Sequence, residues 1–285
     1  MSFELHSNSY GKSAVRLLRV TRAGPQHEVK DISVDIQFEG DFDEVHTKGD
    51  NSKVLPTDTM KNTVYALAGQ QPVGEIEHFA QRLIAYFLDN NRQVSKVRVH
   101  ILEHLWSRIR TDQEPHPSAF VSSGNERRTA DVTRTRESTA ITAGIEGLFV
   151  LRTAGSAFNG YIRDPFTTLP ETRDRIFATV VNADWLYTMP DVSFGLCWRT
   201  IRDALLETFA THESESVQHT LYAMASAALE RCDQISEISL SMPNKHHLPF
   251  DLKRLGMENR NEIFVPTDEP YGLIRATVRR AELLG

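Results

Sequence analysis

Ile32, Val34, Ile36 and Phe38 alternate with Ser33, Asp35 and Gln37. Apolar side chains at every second position fit a strand with one face buried and one face wet, whereas a helix would scatter them round its axis. The alternation returns at Val97, Val99 and Ile101 against Lys96, Arg98 and His100, and again at Ile238, Leu240 and Met242. Between the first two of these strands the period changes. Ile76, Phe79, Ala80, Leu83, Ile84, Phe87 and Leu88 recur at steps of three and one, the spacing of a helix with one apolar face, and Asn90-Asn91 ends it. A preceding helix starts near Thr57 and stops around Gly69-Gln70-Gln71-Pro72. The chain must therefore build a half-wet sheet and cover the dry face with helices.

The order of elements then repeats. In the first half, a strand from Ser13 to Val20, with Lys12 at its entrance, precedes the alternating one. Gly40 to Pro56 is polar and reads as a loop, and Phe120 to Arg136 reads as a long exposed hairpin strand. In the second half, Ala140 to Thr153 and Arg175 to Tyr187 read as strands. Trp198, Ile201, Leu205 and Phe209 mark one helix, and Val217, Leu221, Met224, Ala228 and Leu229 another. Strands at Ile238–Met242 and Leu273–Val278 close it. Each half reads strand, strand, helix, helix, strand, strand, a repeat of about 140 residues in pattern rather than identity. The expected class is α+β, in two domains, 1–138 and 139–285, each an antiparallel sheet with a helix pair on one face. Such sheets have edges and a second face to cover, so an oligomer is expected.

With 40% hydrophobic and 25% charged residues the chain has the composition of a soluble globular protein. A formal charge of −6 argues against a nucleic-acid partner, which would need a basic surface, but not against a small anion held by a local cation. No apolar run is long enough to span a bilayer, so no membrane partner is expected. Cys197 and Cys232 lie in segments that read as helices and form no CxxC pair. Free thiols suit a reducing compartment, and neither the N-terminus nor the tail Ala281-Glu282-Leu283-Leu284-Gly285 carries a secretion or peroxisomal signal. The expected location is the cytoplasm.

Thr57-Asp58, just after Pro56, opens the first helix. Unsatisfied N–H groups at a helix start can cradle an anion, yet Thr and Asp are also ordinary capping residues. On residue chemistry alone this stretch is a cap before it is a site. Other stretches change that balance. Tyr10-Gly11-Lys12; Gly49-Asp50-Asn51-Ser52; Thr57-Asp58 with Lys61-Asn62-Thr63; Phe158-Asn159-Gly160-Tyr161-Ile162-Arg163-Asp164; Thr167-Thr168-Leu169 with Asp174-Arg175-Ile176; Ser216-Val217-Gln218; and Pro243-Asn244-Lys245-His246 together resemble the urate oxidase (uricase) family. The likeness runs from about Tyr10 to Asp251 and is carried by seven stretches in the family's order.

The resemblance implies two tandem tunnelling-fold domains, in agreement with the repeat, and a homotetramer whose sheets join into a barrel with active sites at subunit interfaces. It implies oxidation of urate by molecular oxygen to 5-hydroxyisourate and hydrogen peroxide. No cofactor or metal is implied; oxygen and water are the co-substrates. Arg175 and Gln218 would clamp the purine edge, Phe158 would stack on the ring, and Val217 and Asp58 would contribute backbone groups. Thr57 and Asn244 would hold oxygen or water above the ring, and Lys12, Thr57 and His246 would form the proton relay. Each residue also has a plainer reading. Arg175 beside Asp174 suits a surface ion pair, Phe158 before Asn-Gly suits a packed turn, and Asn244 after Pro243 suits ordinary turn chemistry. His246-His247 invites a metal, but no third ligand at a sensible spacing accompanies the pair. Two rival functions share these features: a pterin- or purine-processing enzyme of the same fold, and a purine-binding protein without turnover. Of the first kind, a zinc-dependent cyclohydrolase would need a Cys/His ligand set that cannot be assembled here, and an aldolase would not call for the combination of Thr57, Lys12 and His246. The second could dispense with Lys12 and Thr57.

Overall fold

A computed structural model describes residues 3–281. Residues 1–2 and 282–285, which include most of the tail read above for a targeting signal, lie outside the described residues. The elements run β1 (Tyr10–Thr21), β2 (Glu28–Gly40), α1 (Asp43–Lys48), α2 (Thr57–Gln70), α3 (Ile76–Asn90), β3 (Val94–Thr111), β4 (Glu114–Thr135), β5 (Thr139–Arg152), β6 (Phe177–Tyr187), α4 (Phe194–Thr211), α5 (Val217–Arg231), β7 (Ile235–Pro249) and β8 (Phe264–Arg279). The chain divides into two compact units. One comprises Met1–Gly144 with Leu186–Gly195, the other Ile145–Trp185 with Leu196–Gly285.

In the first unit β1 to β4 pair in sequence order, each antiparallel to the next. The alternation read from the sequence becomes registered rows: Val15, Val34, Ile101 and Ala130 lie opposite one another across the four strands, and Ile36, Val99 and Val132 form the next row. All of these are buried, and α2 and α3 pack on the sheet. From α3, Phe79, Leu83, Ile84 and Phe87 are completely buried, and the Phe87 ring meets Phe38 edge-on at 5.0 Å. Each such side chain contributes roughly 1.5–3 kcal/mol through burial. Arg128 of β4 ties down the start of α3 with Nη2–Oε2 2.7 Å to the fully buried Glu77 and Nη1–Oε2 2.6 Å to Glu75.

The second unit repeats the plan. Ile238, Leu240 and Met242 of β7 and Val181, Ala183 and Trp185 of β6 are buried, as are Ile201, Leu205 and Phe209 of α4 and Leu221, Met224 and Ala228 of α5. Helix α5 packs on β7 and β8. The fold class is α+β with antiparallel sheets, as the periodicity requires.

Several boundaries differ from those expected. The loop from Gly40 to Pro56 contains the short helix α1. Strands β3 and β4 extend well beyond the core, to a tight turn at Asp112 and Gln113, both with positive φ (49° and 67°). Their outer ends face solvent, so they carry no apolar alternation to read. Strand β6 begins at Phe177, leaving Arg175 in the preceding loop rather than in the strand. Asn244 and His246 are not in a turn after β7 but inside it. Cys232 stands just past α5 as its capping residue, and both cysteines are free and buried. Among the described residues no helix is long and apolar enough to cross a membrane.

Candidate active site

The site residues of the first unit sit where β1 meets the start of α2. Tyr10 accepts, at its hydroxyl, the N–H of Leu55 at 3.0 Å, and its ring packs edge-on against Phe42 at 4.8 Å. Burial pushes the Tyr10 phenol up, and the Leu55 N–H partly offsets this. This clamp fixes the chain just ahead of Pro56. Gly11 is required by space: a Cβ there would stand 1.8 Å from the carbonyl oxygen of Ile36 on β2. Lys12 follows, at the edge of an irregularity in the β1–β2 ladder between Lys12 and Val15. Ala14 within it has φ 57° and donates its N–H to Asp35 Oδ1 at 2.5 Å. An interruption of this kind re-aims side chains relative to a regular strand.

The capping position of α2 is Pro56, and no side chain caps the helix, so Thr57 and Asp58 are its first two helical residues. Proline takes the cap because its missing N–H costs nothing there and its φ of −55° leads into the helix. Thr59 and Met60 donate to the Pro56 carbonyl, while the N–H groups of Thr57 and Asp58 precede the helix's own ladder. The Asp58 carboxylate turns back along the helix, accepting from Lys61 Nζ at 2.5 Å and Asn62 Nδ2 at 3.0 Å. Lys61 holds it below the usual carboxylate range, with smaller help from Asn62 and the charge of Lys12. The side chain is thereby occupied and the backbone remains the free part of Asp58.

The second unit has a cavity of about 370 Å³ bordered by Phe158, Arg175, Asn244 and His246, with Leu169 and Phe264 among its apolar walls. Two stretches far apart in sequence, the Phe158–Arg175 connection and the end of β7, thus meet in one hollow. Phe158 is held by a two-way backbone bridge to Thr172 (2.8 and 3.0 Å). The same loop is stitched to the approach of α5, since Ala157 donates to the Ser214 carbonyl at 2.7 Å and Ser214 to that of Gly155 at 3.1 Å. Ser216 then caps α5 by accepting from His219 N–H at 3.1 Å. Val217 is buried and Gln218 exposed at this helix start, tied to the Phe158 loop but outside the cavity wall.

The Arg175 guanidinium lies 5.3 Å from the centre of the Phe158 ring. Its Nε is buried without a hydrogen-bond partner, and burial lowers its pKa. Asp174 does not pair with it but accepts from Gly155 N–H at 2.7 Å, which removes the ion-pair reading. A half-buried planar cation with an unpaired donor, set beside an aromatic ring, suits a flat anion.

Asn244 and His246 flank a break in the β7–β8 ladder: Asn244 lies opposite Gly272 and His246 opposite Thr267, so residues 268–271 bow out opposite Lys245. Lys245 points to that bow, with Nζ 3.3 Å from Asp268 Oδ1, while the His247 ring approaches the Lys245 carbonyl at 3.2 Å. Among the described residues there is no cluster of three or more His, Cys, Asp or Glu positioned to hold a metal ion. Lys12, Thr57 and Asp58 belong to the first unit, and Phe158, Arg175, Val217, Gln218, Asn244 and His246 to the second. Sequence reasoning assigned no role to Tyr161, Glu171 or Phe264 near the cavity. Only Tyr161 had a signal, an aromatic three residues beyond Phe158 across a glycine.

The sequence profile of the Uricase family matches residues 8–133 and 141–275. A uricase from Arthrobacter globiformis is 44% identical over 276 residues, covering 97% of this chain and 90% of that protein. A uricase from Oryctolagus cuniculus is 37% identical over 284 residues, covering 97% and 95% respectively. The crystal structure of the Arthrobacter globiformis uricase superposes with a TM-score of 0.94 at 43% identity, over 99% of this chain and 96% of that one.

Proposed function

The chain belongs to the uricase family, and from that premise we propose how its residues carry out the reaction. The protein is an enzyme, a urate oxidase. The observation that carries the site assignment is the cavity in which half-buried Arg175, its Nε buried and unpaired, stands beside the Phe158 ring. In this reading Phe158 stacks on the purine, and the fork of Arg175 with the Gln218 amide binds its edge. The Val217 and Asp58 backbones supply further hydrogen bonds. The unfilled N–H groups at the start of α2 support the part given to Asp58.

Urate as its anion is electron-rich and gives two electrons to oxygen without flavin or metal. The overall balance is urate, O₂ and water to 5-hydroxyisourate and H₂O₂: water adds its oxygen to the oxidised ring, and oxygen leaves as peroxide. The enzyme's share is to hold the reactants in register and to move protons. Thr57 and Asn244 hold oxygen, and then water, over the ring. Thr57 passes a proton, with Lys12 and His246 completing the relay. The interrupted ladders beside Lys12 and between Asn244 and His246 support these roles, because they turn side chains out of the regular sheet.

The two halves, 1–138 and 139–285, act as tandem tunnelling-fold domains of a cytoplasmic homotetramer whose active sites form at subunit interfaces. Support comes from apolar side chains left in water, among them Ile162 (95% exposed), Phe166 (87%) and Tyr222 (62%). The test is loss of urate absorbance in the near ultraviolet, with oxygen uptake and peroxide followed in parallel and EDTA present throughout. Turnover that survives EDTA, with one peroxide per urate, is expected. Turnover abolished by the chelator would overturn the cofactor-free reading, and urate binding without oxygen uptake would overturn the assigned relay.

A further inference from the structure

Tyr161 stacks on Phe158 with ring centroids 4.8 Å apart and planes only 18° from parallel. The two residues are three apart, and the chain brings their rings together by turning at Gly160, whose φ of +69° is disfavoured for any residue with a Cβ. Tyr161 is itself anchored on several sides. Its hydroxyl donates to the Leu169 carbonyl at 2.5 Å, and the Arg163 guanidinium lies 5.5 Å from its ring centre. The Gly160 N–H donates to Glu171 Oε1 at 3.3 Å, holding the turn between the two rings.

A planar ring has two faces. Tyr161 covers one face of Phe158 and the Arg175 guanidinium stands over the ring 5.3 Å from its centre, so a purine stacked on Phe158 takes the face that Tyr161 leaves, beside Arg175. We propose that Tyr161 is a positioning residue of this enzyme: it acts through Phe158, fixing the plane of that ring so that its open face meets the purine at the height set by Arg175. This rests on the reading of Phe158 as the stacking residue. Without Tyr161, Phe158 keeps its backbone bridge to Thr172 and the Arg175 guanidinium 5.3 Å from its ring centre, but no ring packs on its face, and it turns more freely about χ1 and χ2. Ordering it would then be charged against substrate binding, a preorganisation effect rather than a lost contact. The Tyr161 hydroxyl matters less than its ring, since the Leu169 carbonyl it meets lies on an exposed loop that water can reach.

The experiment compares Tyr161→Leu, Tyr161→Phe, Phe158→Leu and the Phe158→Leu/Tyr161→Leu double variant. Steady-state KM and kcat for urate and the Kd of xanthine, a planar purine lacking the 8-oxo group, are measured, with a thermal melt on each variant. An aromatic pair of this geometry predicts a roughly two- to tenfold rise in KM and in xanthine Kd for Tyr161→Leu, with kcat changed less than twofold. Tyr161→Phe should restore both to within twofold of the parent. Adding Tyr161→Leu to Phe158→Leu should change neither constant further, because the group through which Tyr161 acts is already gone. Unchanged constants in Tyr161→Leu, or additive losses in the double variant, would overturn the inference while leaving Phe158 in place. Unchanged constants in Phe158→Leu would instead remove the stacking role on which it rests. Should Tyr161→Leu fail to fold, Tyr161→Gln carries the same comparison, with the same outcomes deciding it.

Discussion

Arg175 makes a prediction in which binding and stability move in opposite directions. A residue that serves the fold lowers stability when it is removed, whereas one held ready for a ligand does not. Among the described residues no carboxylate is seen paired with Arg175; its Nε is buried and unsatisfied, and its guanidinium lies 5.3 Å from the centre of the Phe158 ring. A buried donor without a partner costs about 1–3 kcal/mol. The cation–ring contact returns about 0.5–1 kcal/mol at partly exposed sites. Arg175→Met keeps the aliphatic bulk, so the cavity term is small, and it removes both contributions. The ligand-free protein should therefore gain roughly 0–2 kcal/mol in denaturant unfolding. Xanthine binding should move the other way. Each charge-assisted hydrogen bond to the purine is worth about 1.5–3 kcal/mol, so loss of even one weakens Kd about 10- to 150-fold. Equilibrium unfolding without ligand and xanthine titration followed calorimetrically check the two halves. A loss of more than about 1 kcal/mol in the ligand-free protein would show that the fold satisfies the guanidinium and would refute its preorganised role. Unchanged xanthine affinity would remove Arg175 from the site altogether.

Other residues give further expectations. Lys12→Met should lower kcat about 10²- to 10⁴-fold, the range for a lost proton-transfer group, while xanthine Kd stays within about threefold; equal losses in both would sink its part in the relay. Gly11→Ala should cost about 3 kcal/mol or more and reduce kcat as well, because the new Cβ would stand 1.8 Å from the Ile36 carbonyl and Lys12 would shift with the strand. Its denaturation midpoint checks this. Asp131 governs a pH effect in the first unit. Burial alone would push its carboxyl up, but hydrogen bonds from His100 and from Arg98, with Nε–Oδ2 at 2.8 Å, win and hold it below the ordinary value. A depressed folded-state pKa adds stability above the unfolded value of about 3.9, and that stability is lost as pH falls through the folded one. Asp131→Asn should thus flatten the stability profile below about pH 4, and an acid limb identical to the parent's would refute the assignment.

What was legible beforehand follows from where information is local. The buried face of β2 could be read from Ile32, Val34, Ile36 and Phe38 because period-two alternation is a property of neighbouring residues, and all four proved buried. The α3 stripe was legible for the same reason at period 3.6. The Thr- and Val-rich run Phe120–Arg136 reads as an exposed hairpin strand and falls almost wholly within β4, but the outer end of β3 and the first residues of β4 were not legible, since a strand in water on both faces has no pattern. Neither was α1, whose six residues include none that is buried. The candidate residues were found through motif order, but their placement was only partly foreseen. The run Pro243-Asn244-Lys245-His246 reads as a turn after a strand because it opens on proline, yet Pro243 lies within β7, opposite Leu273. The role of Gly11 depends on the Ile36 carbonyl, 25 positions away in sequence, and no local rule can express that distance.

The candidate residues share one structural circumstance. Lys12 sits at an irregularity of the β1–β2 ladder, and Asn244 and His246 flank another between β7 and β8. Thr57 and Asp58 occupy the unbonded first turn of α2, Val217 and Gln218 that of α5, and Phe158 and Arg175 lie in the connection ahead of β6. Regular structure satisfies backbone groups with each other and turns side chains alternately into core and solvent, which leaves little aimed at a third body. A break releases N–H groups and redirects side chains, but it is tolerable only where neighbours hold it. Asp35 takes the Ala14 N–H, Tyr10 takes that of Leu55, and Ser216 caps α5. Those supporting residues are as much a part of the site as the residues that would touch urate. Replacing one of them should alter turnover through a neighbour's geometry rather than through any contact of its own.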